Sequence, residues 1–142
     1  MNGIRIIIAF VCGFIVAQMF KFVIGFCTGE NNKNIKDFRT FVTYLVRSGG
    51  MPSGHSASFI AATTCIGLSE GFSSVLFAIS VCMTAIILYD AVNVRYVVGE
   101  QGKILNKMIP KPISIAEGHT ILEVFCGGLL GILIGLFVFW LF

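Results

Sequence analysis

Ten consecutive residues, GGMPSGHSAS from Gly49 to Ser58, gather a glycine pair, a proline, three serines and one of the chain's two histidines. Glycines ahead of a helix start leave backbone N–H groups free, and the helix dipole adds partial positive charge there, which is the chemistry of phosphate binding. Ser53 and Ser56 can add hydroxyl donors, Arg47 a full charge, and His55 a proton that titrates near neutral pH. The plainer alternative is a glycine-rich turn with capping serines and an interfacial histidine.

The second histidine, His119, stands four residues before Glu123, so on a helix the two share a face. A carboxylate one turn from a histidine can fix its tautomer and stabilise a positive ring, which suits the histidine to act as base or nucleophile. Its alternative is a hydrated interfacial histidine beside a glutamate that pairs across helices. Asp90 and Arg95 lie in YDAVNVR near the end of an apolar run, where charge is costly and points to function by default. Five residues apart on an α-helix they face different directions and make poor partners. Gln18, Lys21, Asp90 and Glu123 are expected to form a polar layer, with a Lys21–Asp90 ion pair as the simpler structural alternative.

These residues must be positioned by membrane helices. The 142-residue chain is 56% hydrophobic and 12% charged, with a mean hydropathy of +0.92, whereas soluble domains carry about 25% charged residues. That composition implies an integral membrane protein and no nucleic-acid partner. Apolar runs at about 4–27, 52–68, 72–98 and 115–142 predict a single all-α domain, a transmembrane four-helix bundle. His55, Arg95 and His119 emerge on the same side only if the short second run crosses the membrane. Both termini then lie opposite the motif-bearing connections, Thr28 to Met51 and Gly99 to Ser114. Those connections hold most of the lysines and arginines, which puts them in the cytoplasm. Pro52 suits the first position of the second helix, and Ser114-Ile-Ala-Glu117 matches a capping box that starts the fourth near Ile115. The five cysteines lie in or at the ends of apolar runs without CxxC spacing, as small buried hydrophobes do. Gly127, Gly131 and Gly135 give the fourth helix a small-residue face for packing within the chain or in a homodimer.

Taken in order, the motifs resemble a family. PSGH at Pro52 to His55, followed by a histidine ahead of an acidic residue, is similar to the type 2 phosphatidic acid phosphatases and vanadium haloperoxidases. The fuller pattern resembles their small divergent bacterial and plastid branch. It comprises QxxK (Gln18, Lys21), GGMPSxHSA (Gly49 to Ala57), YDAxxVR (Tyr89 to Arg95), GxQxxxLN (Gly99, Gln101, Asn106) and GHTxxEV (Gly118 to Val124). The resemblance implies a membrane phosphatase, in a bacterial cell membrane, that hydrolyses a lipid phosphate or pyrophosphate without a cofactor. In it His119 would form a phosphohistidine, Glu123 would replace the family's aspartate, and His55 would protonate the leaving group. Ser53 and the Gly54 N–H would bind phosphoryl oxygens, Arg95 would clamp them, and Lys21 or Arg47 would replace the usual first motif. The chain departs from the family in lacking that motif, in separating Arg95 from His119 by a basic loop, and in having fewer helices. Asp90 has no place in the family's mechanism; with Glu123 it offers a carboxylate pair for a divalent cation. The rival from another class is a protein that binds or transports a lipid headgroup or anion through the same basic pocket.

Overall fold

The computed structural model of the chain describes residues 2–27, 50–113, 115 and 118–142. Arg47 and the rest of the first basic connection through Gly49 lie outside them. The described residues form helices and no strands: α1 (Asn2–Cys27), α2 (Gly54–Glu70), α3 (Val75–Tyr89), a π-helical turn (Asp90–Val94), α4 (Arg95–Met108) and α5 (Ile121–Leu141). From α3 through the π turn to α4 the chain is one rod of 34 residues, Val75–Met108. The result is an all-α membrane bundle of four rods. Three of them, Gly3–Cys27, Val75–Met108 and Ile121–Leu141, are long and apolar enough to cross a membrane.

The fourth rod, α2, has 17 residues. At about 1.5 Å per residue it is about 25 Å long, less than the roughly 30 Å of a bilayer's hydrocarbon core. It is nevertheless the centre of the molecule, because α1, α3 and α5 all pack against it. Its buried face is made of small residues, Gly54, Ser56, Ala57, Ser58, Ala61, Cys65 and Gly67. A helix wrapped by protein does not have to be apolar all round, which is why this run is the least hydrophobic of the four. The outer rods instead expose large apolar side chains such as Phe26, Val75, Ile86, Leu133 and Trp140.

Helix α5 approaches α2 through its glycines. A Cβ at Gly127 would lie 2.5 Å from the Ser53 carbonyl oxygen; at Gly131 it would lie 2.6 Å from that of Ala57, and at Gly135 2.6 Å from that of Ala61. Backbone therefore meets backbone, as small-residue faces allow in membranes. This corrects the expectation of a homodimer through Gly127, Gly131 and Gly135: α2 already occupies that face.

Three boundaries differ from the sequence expectation. Helix α2 starts at Gly54, with Ser53 as its N-cap and the Ser53 side chain accepting from Ser56 N. Pro52 lies outside the helix, in a cis peptide bond after Met51. Helix α5 starts at Ile121, not near Ile115, because Thr120-Ile-Leu-Glu123 is itself a capping box. Glu123 N donates to Thr120 Oγ1 at 3.3 Å, and Thr120 N donates to Glu123 Oε2 at 3.0 Å. Ser114 and Glu117, the two ends of the other box, lie outside the described residues. The third rod continues beyond residue 98 to Met108 because the polar stretch after Val98 is rich in good helix formers and meets no proline before Pro110.

The α2–α5 contact leads to a stability prediction. Gly131→Val should force the helices apart and destabilise the detergent-solubilised protein by about 1–3 kcal/mol or more. Gly3→Ala, with no atom within 4 Å of the added Cβ, should leave the thermal midpoint unchanged. A melt followed by circular dichroism checks both.

Candidate functional site

The site residues gather where one end of each helix converges, and the π turn organises them. In an α-helix, residues five apart diverge, but a π turn closes i→i+5 hydrogen bonds and brings them into line. The Arg95 N–H accordingly donates to the Asp90 carbonyl. The side chains follow the backbone: Arg95 Nε donates to Asp90 Oδ2 at 2.6 Å. The expectation that these two are poor partners is thereby corrected. Asp90 pairs with Arg95, and half of the Arg95 side chain remains exposed.

The same turn receives the chain that leads into α5. His119 N donates to the Ala91 carbonyl at 3.0 Å. Such an approach requires glycine just before it, because a Cβ at Gly118 would lie 2.3 Å from Tyr96 N and 2.5 Å from Tyr96 Cα. On the other flank, Ser53 N donates to the Glu123 carbonyl at 3.1 Å, which joins the start of α2 to the first turn of α5. Both histidine-bearing segments are thus held by backbone hydrogen bonds to neighbouring elements.

His119 is 5% exposed. Its Nδ1 lies 3.0 Å from Glu123 Oε2, the same oxygen that accepts from Thr120 N. An ionised carboxylate only accepts, so Nδ1 carries the proton and Nε2 keeps its lone pair in the neutral ring. Burial pulls the His119 pKa below its ordinary 6.5, the Glu123 hydrogen bond and charge oppose that shift, and the cations Lys21 and Arg95 add to it. His55, exposed at the start of α2, lies within electrostatic reach of Arg95, His119, Lys21 and Asp90.

The α1 side is lined by Gln18 and Lys21, 8% and 7% exposed. The Lys21 stem runs along Gly50, whose φ of +83° favours glycine. The Gln18 carboxamide lies against Gly54, and its Oε1 is buried without a hydrogen-bond partner. Buried polar atoms left in that state are rare, and this one marks a place for water or a ligand. Ser53 is fully buried; its Oγ accepts from Ser56 N and from Ser56 Oγ, at 3.4 and 2.9 Å. Its backbone N–H is engaged by Glu123, so the first-turn N–H groups of Gly54 and His55 are the ones helix geometry leaves without intrahelical acceptors.

A cavity of about 140 Å³ adjoins Glu123, lined by Gly50, Tyr96, Lys103, Gly118 and Thr120. It has room for several waters at about 30 Å³ each. The carboxylates suggested for a cation, Asp90 and Glu123, are engaged by Arg95 and by His119 with Thr120. Among the described residues no group of three or more His, Cys, Asp or Glu is arranged to hold a metal ion. Gln18 and Lys21 are buried on the α1 side, and the charge of Lys21 acts on both His119 and His55. Arg47 lies outside the described residues.

The Divergent PAP2 family profile matches residues 3–134. The chain belongs to that family. A relative, the uncharacterized membrane protein YuiD of Bacillus subtilis (strain 168), is 34% identical, with 69% of this chain and 75% of the relative covered. No solved structure matches the chain. Family membership and three membrane-length apolar helices identify an integral membrane protein.

Sequence reading missed the Ala91 carbonyl and the docking role of Gly118, since neither has a chemical signature of its own. The Thr120 cap was missed as well, although TxxE is as good a capping box as SxxE and could have shown it. The electrostatics predict that the imidazole of His119, followed by NMR in detergent, titrates below 6.5. Glu123→Gln should lower the midpoint further, because it removes the group that favours the charged ring.

Proposed function

We propose that the protein is a membrane phosphatase that hydrolyses a lipid phosphate or pyrophosphate through a phosphohistidine on His119. The observation that carries this reading is the buried His119 ring, with Nδ1 tied to Glu123 and Nε2 left basic beside Lys21, Arg95 and His55. In the first step Nε2 attacks phosphorus, the P–O bond to the lipid breaks, and protonated His55 gives its proton to the departing oxygen. In the second step neutral His55 takes a proton from water, whose oxygen attacks phosphorus and breaks the P–N bond. This releases phosphate and restores His119.

Charge on the equatorial oxygens is met by Arg95, Lys21 and the N–H groups at the start of α2, since phosphoryl transfer depends chiefly on positioning and electrostatic stabilisation. Glu123 stabilises the positive ring as the P–N bond forms. Ser53 contributes by shaping the start of α2 and, through its own O–H, can donate toward the phosphoryl site. The lipid chain enters from the side, between the rods, while the phosphate stays at the membrane face. By the positive-inside rule that face is cytoplasmic, because most of the chain's lysines and arginines belong to the two connections between the helix ends there.

Phosphate release from a panel of phosphatidyl and polyprenyl phosphates and pyrophosphates tests the reading. Release should vanish with His119→Ala and fall by about 10²–10⁴ with His55→Ala. It should also decline as pH drops through the His119 midpoint below 6.5, because a protonated ring has no lone pair to attack with. A lane with chelator tests whether a divalent cation takes part. Retained lipid with no phosphate released from any substrate would sink the phosphatase reading in favour of headgroup binding or transport.

A further inference from the structure

Asn106 ends the GxQxxxLN motif on the last turns of α4, away from the histidines in sequence. Its carboxamide grips the returning chain with both of its functional groups: Nδ2 donates to the Ile113 carbonyl at 3.0 Å, and Oδ1 accepts from Ile113 N at 2.9 Å. The chain has just left the helix at Ile109, whose backbone is extended. Pro110 and Pro112 bring no N–H groups of their own. A side chain therefore supplies the pairing that a neighbouring strand would otherwise provide.

From this clamp the chain runs back along the helix that precedes it. Ile115 lies against Gly102, where a Cβ would meet its Cγ2 at 2.8 Å. Gly118 meets the backbone of Arg95 and Tyr96, and His119 N reaches the Ala91 carbonyl. The anchors thus descend the helix in order while the returning residue numbers rise. Between Ala91 and Asn106 the helix advances about 22 Å at 1.5 Å per residue. From Ile113 to His119 the chain reaches at most about 22 Å fully extended. The six residue steps from Ile113 to His119 are thus about as long as the helix span between their anchors, so a shift at the Ile113 anchor is expected to be felt at His119.

We propose that Asn106 is a positioning residue for His119, holding the returning chain in the register that seats His119 N on Ala91 and the ring beside Glu123. The role in turnover rests on the phosphatase reading; the role in seating the ring does not. The groups that face the ring are Glu123 on α5, Lys21 on α1, His55 on α2 and Arg95 beyond the π turn. When the clamp opens, the ring leaves its buried seat and its contact with Glu123.

The test uses the full-length protein in detergent with labelled histidine, His119 being assigned by the signal lost in His119→Ala. Asn106→Ala should raise the His119 titration midpoint toward 6.5, as burial is relieved. Asn106→Asp, which keeps the bond from Ile113 N and loses the one to its carbonyl, should fall between Asn106→Ala and wild type. Lys107→Gln, an exposed neighbour on the same helix, should leave the midpoint in place. Turnover in Asn106→Ala should drop by about 10- to 100-fold with KM little changed, the signature of a misplaced reacting group. A folded Asn106→Ala protein with the wild-type midpoint would overturn the proposal. If Asn106→Ala fails to fold, the midpoint of Asn106→Asp decides by the same criterion. Absence of turnover in the wild type would remove the phosphatase reading while the titration still decides the role of Asn106.

Discussion

The backbone hydrogen bond from His119 N to the Ala91 carbonyl joins the His119–Glu123 pair to the turn that carries Asp90 and Arg95. It is possible because the helix wall widens into a π turn at that level and because Gly118 has no side chain to obstruct the approach. One extra residue in the turn has two effects. It rotates Asp90 and Arg95 onto the same line, so that the guanidinium is oriented by its own helix. It also coincides with the carbonyl on which the nucleophile candidate is seated. π turns recur at functional sites in helices for this kind of reason: the local departure from α geometry redirects backbone groups that a regular helix keeps to itself.

The rest of the bundle serves that junction. Helix α2 carries the other histidine and is surrounded by the three remaining rods. Hydroxyls on its small, partly polar face find partners there, Ser58 on the Gly54 carbonyl and Thr63 on Thr84. The glycines of α5 let the two backbones come together, and the closeness of that contact is what brings Ser53 N within reach of the Glu123 carbonyl. Packing in the hydrocarbon region and geometry at the membrane face are therefore one problem. A side chain added at Gly127 would displace Ser53, and with it the start of α2.

Much of this was legible in the residues themselves. The apolar runs marked the rods, and the requirement that His55, Arg95 and His119 share a side placed the short second run among the helices. The i, i+4 spacing of His119 and Glu123 anticipated their contact, although His119 sits just before the helix and Glu123 reaches back to it as the capping residue. What could not be read was whatever depends on departures from regular geometry. The Asp90–Arg95 pair is invisible to a 3.6-residue period. The capping box read from the residues was Ser114 to Glu117, whereas α5 is capped by Thr120 and Glu123. A glycine stripe looks the same whether it meets another copy or, as here, a neighbour in the same chain. Asn106 showed only as a motif letter, because its partner Ile113 is chosen by the fold.

Glu123 has a further meaning for how this protein responds to heat and solvent. One carboxylate oxygen closes the first turn of α5 through Thr120 N and holds the His119 ring. Helix initiation and histidine orientation are therefore a single cooperative event. Fraying of that turn would also loosen the ring from Glu123. The orientation of His119 is consequently as stable as the first turn of α5, which makes the start of that helix, and not only its buried length, part of the site.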